Sequence, residues 1–375
     1  MVYLDNAATT YPKPPSVISK SSYAMINYGA NPGRAGHRLS MKTAEAVYLA
    51  RQQCAELFGA ETENVCFMLN CTTALNTAIK GILTPNSHII TSDLEHNAVL
   101  RPLNAALKRY GISYSIAKVS DNDEETVKNF RELIMRSTKA IVCTAAGNVT
   151  GQILPYKQIA KLCNDHGICF ILDAAQGAGV LPISLKDGIN IICAAGHKGL
   201  YGPMGTGLLI TDNKFRLQTL IEGGTGSASS DPEQPEFLPD RFESGTINTS
   251  GAIALGSGVA FVKEKGIENI YDHEWQLCSY AYSRLRQNKD VILYGDFDRH
   301  NAPLFSFNIK GMPSEQAAAR LSDMGFYLRG GLHCAYLAHK KLGTLNTGTV
   351  RFAPSVFTTK AEVKAFLRAV KRIAG

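Results

Sequence analysis

Short apolar runs alternate with amphipathic segments along the first 250 residues of the chain. The apolar runs have the length of buried strands, and they predict strands at 64–69, 88–91, 113–119, 140–144, 169–173, from 191 onward and 208–212. Apolar positions at helical spacing predict helices at 16–28, 43–58, 98–110, 124–134 and 156–165. Such alternation is typical of an α/β fold in which helices cover both faces of a mostly parallel sheet.

The pattern changes near residue 250. A long apolar helix is predicted at 252–265, followed by helices to about 288 and strands at 291–294 and 304–308. A helix at 315–324, a strand and a final helix at 360–373 complete the chain. This mixture predicts a smaller α+β C-terminal domain. We therefore expect a large domain over residues 15–250 and a small domain formed by residues 1–14 together with 251–375.

Composition narrows the class of protein. The net charge of +7 is modest, and its cations are mixed with acids along the chain, so a nucleic-acid-binding surface is not predicted. No apolar run approaches the roughly eighteen residues of a membrane span, and no leader pattern opens the sequence, which favours a cytoplasmic protein. The nine cysteines form no Cys-x-x-Cys pair, so we expect reduced thiols and no metal site.

Polar residues follow several of the predicted strands. His96, Asn148, Asp173 and Lys198 each come just after one, and in parallel sheets the carboxyl ends of the strands share one crevice. Lys198 lies in a glycine-rich segment, 196–207, which predicts a tight turn. A lysine at a strand end is more often solvated than buried. From Lys198 alone, a solvated lysine is therefore the alternative interpretation.

Asp173 and Lys198 together predict a cofactor. Pyridoxal phosphate needs an amine that holds it and a carboxylate that keeps its ring nitrogen protonated. A helix that begins near Thr72 and Thr73 could bind the phosphate, and His96 could lie on the ring. No Gly-x-Gly-x-x-Gly motif follows the early strands, which argues against a nicotinamide dinucleotide.

Motifs along nearly the whole chain carry a family resemblance. They are Tyr3-Leu4-Asp5-Asn6-Ala7-Ala8, Glu95-His96, Asp173-Ala174-Ala175-Gln176, Gly196-His197-Lys198, the segment 241–249 and Arg329-Gly330-Gly331-Leu332-His333-Cys334-Ala335. With them the chain resembles the fold-type I pyridoxal-phosphate enzymes of the class V aminotransferase group. Within that group it is similar to the cysteine desulfurases of the type II branch, which have a short catalytic loop.

The resemblance implies roles around the cofactor. Lys198 would bind it covalently, Asp173 would meet the pyridine nitrogen and His96 would stack on the ring. The other implied cofactor contacts are Gln176 to the ring hydroxyl and Thr72, Thr73 and His197 to the phosphate. Thr246 would reach the phosphate of the other subunit, so the resemblance also implies a homodimer.

The resemblance further implies that Asn148, Arg329 and Arg351 bind the substrate, with Asn148 and Arg351 on its carboxylate. Cys334 alone would be expected as a small buried side chain, but Arg329 and His333 beside it favour a thiolate. The implied reaction converts L-cysteine to L-alanine and leaves the sulfur on Cys334 as a persulfide. A sulfur-acceptor protein would then approach the pocket.

Three positions depart from the resemblance. Ala195 stands where a phosphate-binding serine is common, Asn97 where a second histidine is common, and Leu332 in place of the first histidine of His-His-Cys. They leave the substrate preference open, so a selenocysteine lyase is the first alternative and a class V aminotransferase the second. A non-catalytic interaction protein on the same fold is the alternative from another class.

Overall fold

The computed structural model describes residues 1–33 and 36–375. Its strands are β1 (Val2–Tyr3), β2 (Val65–Met68), β3 (His88–Ser92), β4 (Ser113–Ala117), β5 (Thr138–Thr144), β6 (Cys169–Asp173), β7 (Ile191–Ala195), β8 (Gly207–Thr211), β9 (Val291–Tyr294), β10 (Phe305–Ile309), β11 (Phe326–Tyr327) and β12 (Val350–Phe352). Its α-helices are α1 (Pro15–Asn27), α2 (Arg38–Phe58), α3 (Cys71–Gly81), α4 (Asn97–Tyr110), α5 (Asp123–Arg131), α6 (Tyr156–His166), α7 (Thr249–Lys265), α8 (Ile267–Leu285), α9 (Ser314–Asp323), α10 (Tyr336–Leu342) and α11 (Lys360–Ala374). None of these helices is long and apolar enough to cross a bilayer.

A seven-stranded sheet forms the centre of the larger region. Its strands lie in the order β2-β8-β7-β6-β5-β3-β4. The strands β3 to β7 pair in parallel, whereas β8 runs antiparallel to both of its neighbours. The mostly parallel sheet expected from the sequence is therefore confirmed.

Helices cover both faces of this sheet. Along β5, Ala140 and Val142 point into a core shared with α3 and α4, while Ile141 and Cys143 point into a second core shared with α2, α5, α6 and α7. Successive side chains of a strand face opposite sides of the sheet, so a strand buried on both faces has to be apolar throughout. This explains the continuous apolar runs of the sequence.

The smaller region is built on an antiparallel sheet. Strand β10 pairs with β9 and β12, and α8, α9 and α11 enclose a core rich in aromatic rings. Phe352 lies 5.1 Å, between ring centroids, from both Phe305 and Phe366. The N-terminal arm joins this region, because β1 pairs in parallel with β11 and Asp5 forms a bridge with Ala353.

Helix α7 packs against α1 and α2 of the larger region. Its Ala252, Leu255 and Val259 are buried in the core on that side of the large sheet. This packing attaches α7 to the larger region, although the expected boundary at residue 250 lies at its start. The division of the chain into two domains stays a prediction.

Candidate functional site

A cavity of about 220 Å³ lies at the carboxyl ends of the parallel strands. The predicted site residues that line it are Thr72, His96, Asn148, Asp173, Gln176, His197, Lys198, Arg329 and Arg351. Thr73, Thr246 and Cys334 are not in its wall. The fold thus brings most of the candidate residues together at this cavity.

Lys198 follows β7 and is half-buried in the cavity wall. The turn that carries it is tight: the Tyr201 N–H donates to the Lys198 carbonyl at 2.8 Å, and a Cβ at Gly196 would collide with the Thr206 hydroxyl. Burial lowers the pKa of Lys198, an effect that the carboxylate of Asp173 partly offsets. The amine is therefore easier to deprotonate than an ordinary lysine.

The N-terminal arm fixes the backbone beside Lys198. The Thr10 N–H donates to the His197 carbonyl at 3.0 Å, and Lys13 Nζ donates to the same oxygen at 2.8 Å. The Thr10 hydroxyl also donates to the Lys198 carbonyl at 3.1 Å. These hydrogen bonds fix the backbone of the turn, so the Lys198 amine has a defined position.

Asp173 ends β6 and is almost completely buried. Its Oδ1 accepts hydrogen bonds from the Ala175 N–H at 2.9 Å and from the Cys71 thiol at 3.5 Å. Cys71 is the first residue of α3 and lines the cavity, although the sequence analysis did not select it. These two donors fix one carboxylate oxygen, so the side chain has a set orientation.

His96 caps the N-terminus of α4. Its Nδ1 accepts a hydrogen bond from the Ala98 N–H at 3.0 Å, and burial lowers its pKa. Glu95 before it is fully buried and accepts a hydrogen bond from the Thr144 N–H at 3.0 Å. Burial raises the pKa of Glu95 to about 8. A neutral imidazole with a fixed ring plane therefore lines the cavity, and a buried carboxyl lies behind it.

The start of α3 offers a binding site for an anion. Thr72 lines the cavity beside the first N–H groups of the helix, which have no partner inside the helix. The Thr73 hydroxyl instead donates to the Asn70 cap at 3.1 Å. His197 contributes a buried Nδ1 that has no hydrogen-bond partner in the described part of the chain, and burial lowers its pKa to about 4.

Arg351 on β12 is 1 % exposed and reaches the cavity from the smaller region. Its guanidinium donates to Asp5 Oδ1 at 2.9 Å and to the Asn148 carbonyl at 3.0 Å. Burial and the charge of Arg329 lower its pKa. Its Nε has no partner among residues 1–33 and 36–375, so a donor beside the cavity is left for a ligand.

Cys334 lies next to the cavity on the loop between β11 and α10. It is half-buried, whereas the other eight cysteines are buried and burial raises the pKa of each of them. Arg329 Nη2 is 3.9 Å from the Cys334 Sγ, and the Cys334 carbonyl accepts a hydrogen bond from the Asn97 N–H at 2.7 Å. His333 and Cys334 both have positive φ, at 48° and 56°. Two such residues in succession mark a strained loop of the kind found at functional sites.

The remaining candidate positions lie at different distances from the cavity. The Gln176 amide lines it and donates to the Ala7 carbonyl at 3.0 Å. Thr246 is exposed, and its hydroxyl accepts a hydrogen bond from the Asn31 amide at 3.3 Å. Ala195 is buried in the cavity wall, whereas Leu332 is 42 % exposed.

The chain is similar to known proteins over nearly its whole length. The sequence matches the family described as Aminotransferase class-V over residues 2–366. A probable cysteine desulfurase of Mycolicibacterium paratuberculosis is 30% identical over 384 residues, which cover 100% of this chain and 55% of that protein. One of Methanothermobacter thermautotrophicus is 28% identical over 382 residues, covering 100% of this chain and 95% of the other.

Solved structures share the fold. The apo structure of a cysteine desulfurase from Thermococcus onnurineus superposes with a TM-score of 0.92 at 30% identity, covering 100% of this chain and 94% of that one. A cysteine desulfurase of Escherichia coli has a TM-score of 0.87 at 24% identity, with 99% and 94% of the two chains covered. The α/β architecture expected from the sequence is thus that of both neighbours.

Proposed function

Since this chain belongs to the class V aminotransferase family, and within it to the cysteine desulfurases, we propose that it is a pyridoxal-phosphate-dependent cysteine desulfurase. The proposed reaction converts L-cysteine to L-alanine and passes the sulfur to Cys334 as a persulfide. One observation carries the proposal: the half-buried thiol of Cys334 stands beside the cavity that contains Lys198, Asp173 and Arg351.

The residues of the cavity fit pyridoxal phosphate. The buried carboxylate of Asp173 suits a protonated ring nitrogen. The N-terminus of α3 at Thr72 and the unpaired His197 Nδ1 suit a phosphate. Lys198 would hold the aldehyde carbon, His96 the face of the ring and Gln176 its hydroxyl. When bound, the cofactor supplies a ring that accepts the electron pair released at the substrate's α-carbon.

Lys198 is the proposed base for the substrate. Its lowered pKa increases the fraction of free amine, which can remove the proton at the α-carbon of L-cysteine. Arg351 would bind the substrate carboxylate through its unpaired Nε and a neighbouring Nη, a bidentate arrangement that also orients the α-carbon. Arg329 and Asn148 lie beside this end of the cavity.

Cys334 is the proposed nucleophile. Its thiolate forms a bond with the substrate sulfur while the bond between that sulfur and the β-carbon breaks. The β-carbon keeps the bonding electron pair and takes up a proton, and Lys198 returns a proton to the α-carbon, which completes alanine. The transferred sulfur stays on Cys334 with its hydrogen. Arg329 Nη2 lies 3.9 Å from the Cys334 Sγ, so a positively charged group faces the reacting sulfur.

Three further features belong to the proposal. Thr246 is exposed, as a residue that reaches the phosphate of a second subunit has to be, so we propose a homodimer. A sulfur-acceptor protein would come to the half-buried Cys334. The cysteines of the described chain are all free, which supports a reducing, cytoplasmic location.

The experiment supplies pyridoxal phosphate and L-cysteine to the purified chain and measures alanine and sulfide. Cys334→Ala should lose both products while it keeps the visible absorbance of the bound cofactor, and Lys198→Ala should lose that absorbance. Cys278→Ala, which changes a buried cysteine of the smaller region, is the matched control and should keep turnover. Undiminished turnover by Cys334→Ala would refute the proposal.

A further inference from the structure

Besides His197 Nδ1, three buried polar atoms of cavity-lining residues have no hydrogen-bond partner in the described ranges 1–33 and 36–375. They are His333 Nδ1, Asn148 Oδ1 and Arg351 Nε. Because buried polar atoms are almost always hydrogen-bonded, such a group indicates a ligand with complementary atoms. Arg351 Nε can only donate a hydrogen bond to that ligand. For the two other atoms, the ligand would need groups that donate.

The chemical state of His333 follows from its other nitrogen. His333 Nε2 lies 2.8 Å from the Thr349 carbonyl, which can only accept, so Nε2 carries a hydrogen. Burial and the charge of Arg351 lower the pKa of His333 to about 2, so the ring is neutral. Nδ1 is therefore a bare acceptor.

Packing prevents the His333 ring from rotating Nδ1 to another position. The side chain is 2 % exposed and stacks on His339, with ring centroids 5.9 Å apart. His339 is itself held by the Thr344 hydroxyl at 2.7 Å. The His333 carbonyl accepts the Asn148 amide at 2.8 Å, which fixes the backbone as well. That bond uses one of the two amide hydrogens of Asn148, and the amide oxygen stays unpaired.

We propose, on the basis of the proposed function, that His333 Nδ1 accepts a hydrogen bond from the thiol of the substrate and so favours L-cysteine over L-selenocysteine. Arg351 takes the carboxylate end of the substrate, and the substrate sulfur has to meet Cys334, which adjoins His333. Because His333 directly precedes Cys334 in the chain, the proposal assigns its acceptor to the sulfur end of the substrate. His333 is a specificity-determining residue in this account.

The chemistry of the two substrates makes the acceptor selective. L-Cysteine is a thiol at neutral pH, and its S–H can donate to Nδ1. During transfer the hydrogen stays on the sulfur, because Cys334 forms the new sulfur–sulfur bond while the carbon–sulfur bond breaks. A selenol is far more acidic than a thiol, so selenocysteine is a selenolate at that pH. It has no hydrogen to donate, and its charge faces a lone pair.

Two substitutions separate this function from a structural one. In His333→Gln the amide nitrogen can replace Nε2 and donate to Thr349, but no acceptor remains at the Nδ1 position. In His333→Asn the side-chain oxygen can replace Nδ1, but the bond to Thr349 is lost. Asparagine also tolerates the positive φ of 48°.

We expect His333→Gln to lower kcat/KM for L-cysteine about tenfold, which corresponds to about 1.4 kcal/mol, and to change kcat/KM for L-selenocysteine about twofold or less. His333→Asn should retain more of the L-cysteine rate than His333→Gln but unfold at a lower temperature. Equal losses on both substrates, or a loss of rate in His333→Asn alone, would overturn the inference.

A second measurement does not depend on turnover. Nitrogen NMR of ¹⁵N-histidine-labelled protein without cofactor should show His333 protonated on Nε2 and neutral across the pH range in which the chain stays folded. A proton on Nδ1 would overturn the inference and leave the proposed function intact. A wild-type enzyme that releases no alanine from L-cysteine would instead overturn the proposed function.

Discussion

Replacement of Arg351 by lysine should weaken recognition of the substrate carboxylate. Two of the five guanidinium hydrogens are used by Asp5 and the Asn148 carbonyl, at 2.9 and 3.0 Å, and Nε is unpaired. Lysine can keep the pair with Asp5 but cannot present two parallel donors to a carboxylate. The loss of one charge-assisted hydrogen bond costs about 1.5 to 3 kcal/mol, so kcat/KM for L-cysteine should fall about 10- to 150-fold.

The assay compares L-cysteine with its methyl ester, which keeps the amine and the thiol but lacks the carboxylate. Wild-type enzyme and Arg351→Lys should differ little on the ester, and the difference between the two substrates isolates the interaction of Arg351 with the carboxylate. Arg368→Lys is the control, because Arg368 is exposed on α11 and is not among the residues that line the cavity. An equal loss on acid and ester would refute the reasoning, since Arg351 would then act on something other than the carboxylate.

Three further changes test the electrostatics and the binding of the cofactor. Glu243 binds Arg51 through two hydrogen bonds, of 2.5 and 2.9 Å, so Glu243→Gln leaves Arg51 buried without a counter-charge. Urea titration should show that the free energy of unfolding falls by about 3 kcal/mol. The fall should be smaller when Arg51 is also replaced by methionine. Glu95 has a folded pKa raised from 4.5 to about 8, so its contribution to stability is complete below pH 4.5 and is lost as the pH rises through 8. Glu95→Gln should therefore flatten the decline in unfolding free energy between pH 5 and 8, and an unchanged slope would contradict the assignment. Thr72→Ala should weaken pyridoxal phosphate binding, measured by fluorescence titration, about tenfold, whereas Thr73→Ala should change it about twofold or less, because the Thr73 hydroxyl is used in the helix cap.

The strand-end residues were predictable from the sequence because their local pattern is strong. Apolar runs that stop at Asp173, or just before Lys198, can only be buried strands that end at one edge of a parallel sheet. The meeting of His96, Asn148, Asp173 and Lys198 at one cavity followed from that rule. The resemblance then selected the cofactor that this pair of Asp and Lys suits.

Other features depend on contacts that no local pattern contains. Strand β12 has three residues and α10 has seven, which is too short for a periodic signal. The sequence predicted one strand between 324 and 360 without its bounds, and it did not predict α10. Whether Thr72 or Thr73 faces the cavity depends on the helix phase, since one residue rotates a side chain by about 100°. The unpaired Nδ1 of His333 could be found only after its Nε2 was placed against Thr349.

The contact between Asp5 and Arg351 has a consequence for the order of folding. The two residues are 346 positions apart, yet their side chains are paired, and Arg351 lines the pocket. The strands of the large sheet end with β8, and α7, which completes one of its cores, ends at Lys265. The sheet can therefore assemble while later segments are still being synthesised. The part of the pocket that binds the carboxylate has to wait until β12 has formed. A ribosome-bound chain that ends before residue 350 should therefore contain Lys198 in its turn but be unable to recognise an amino acid.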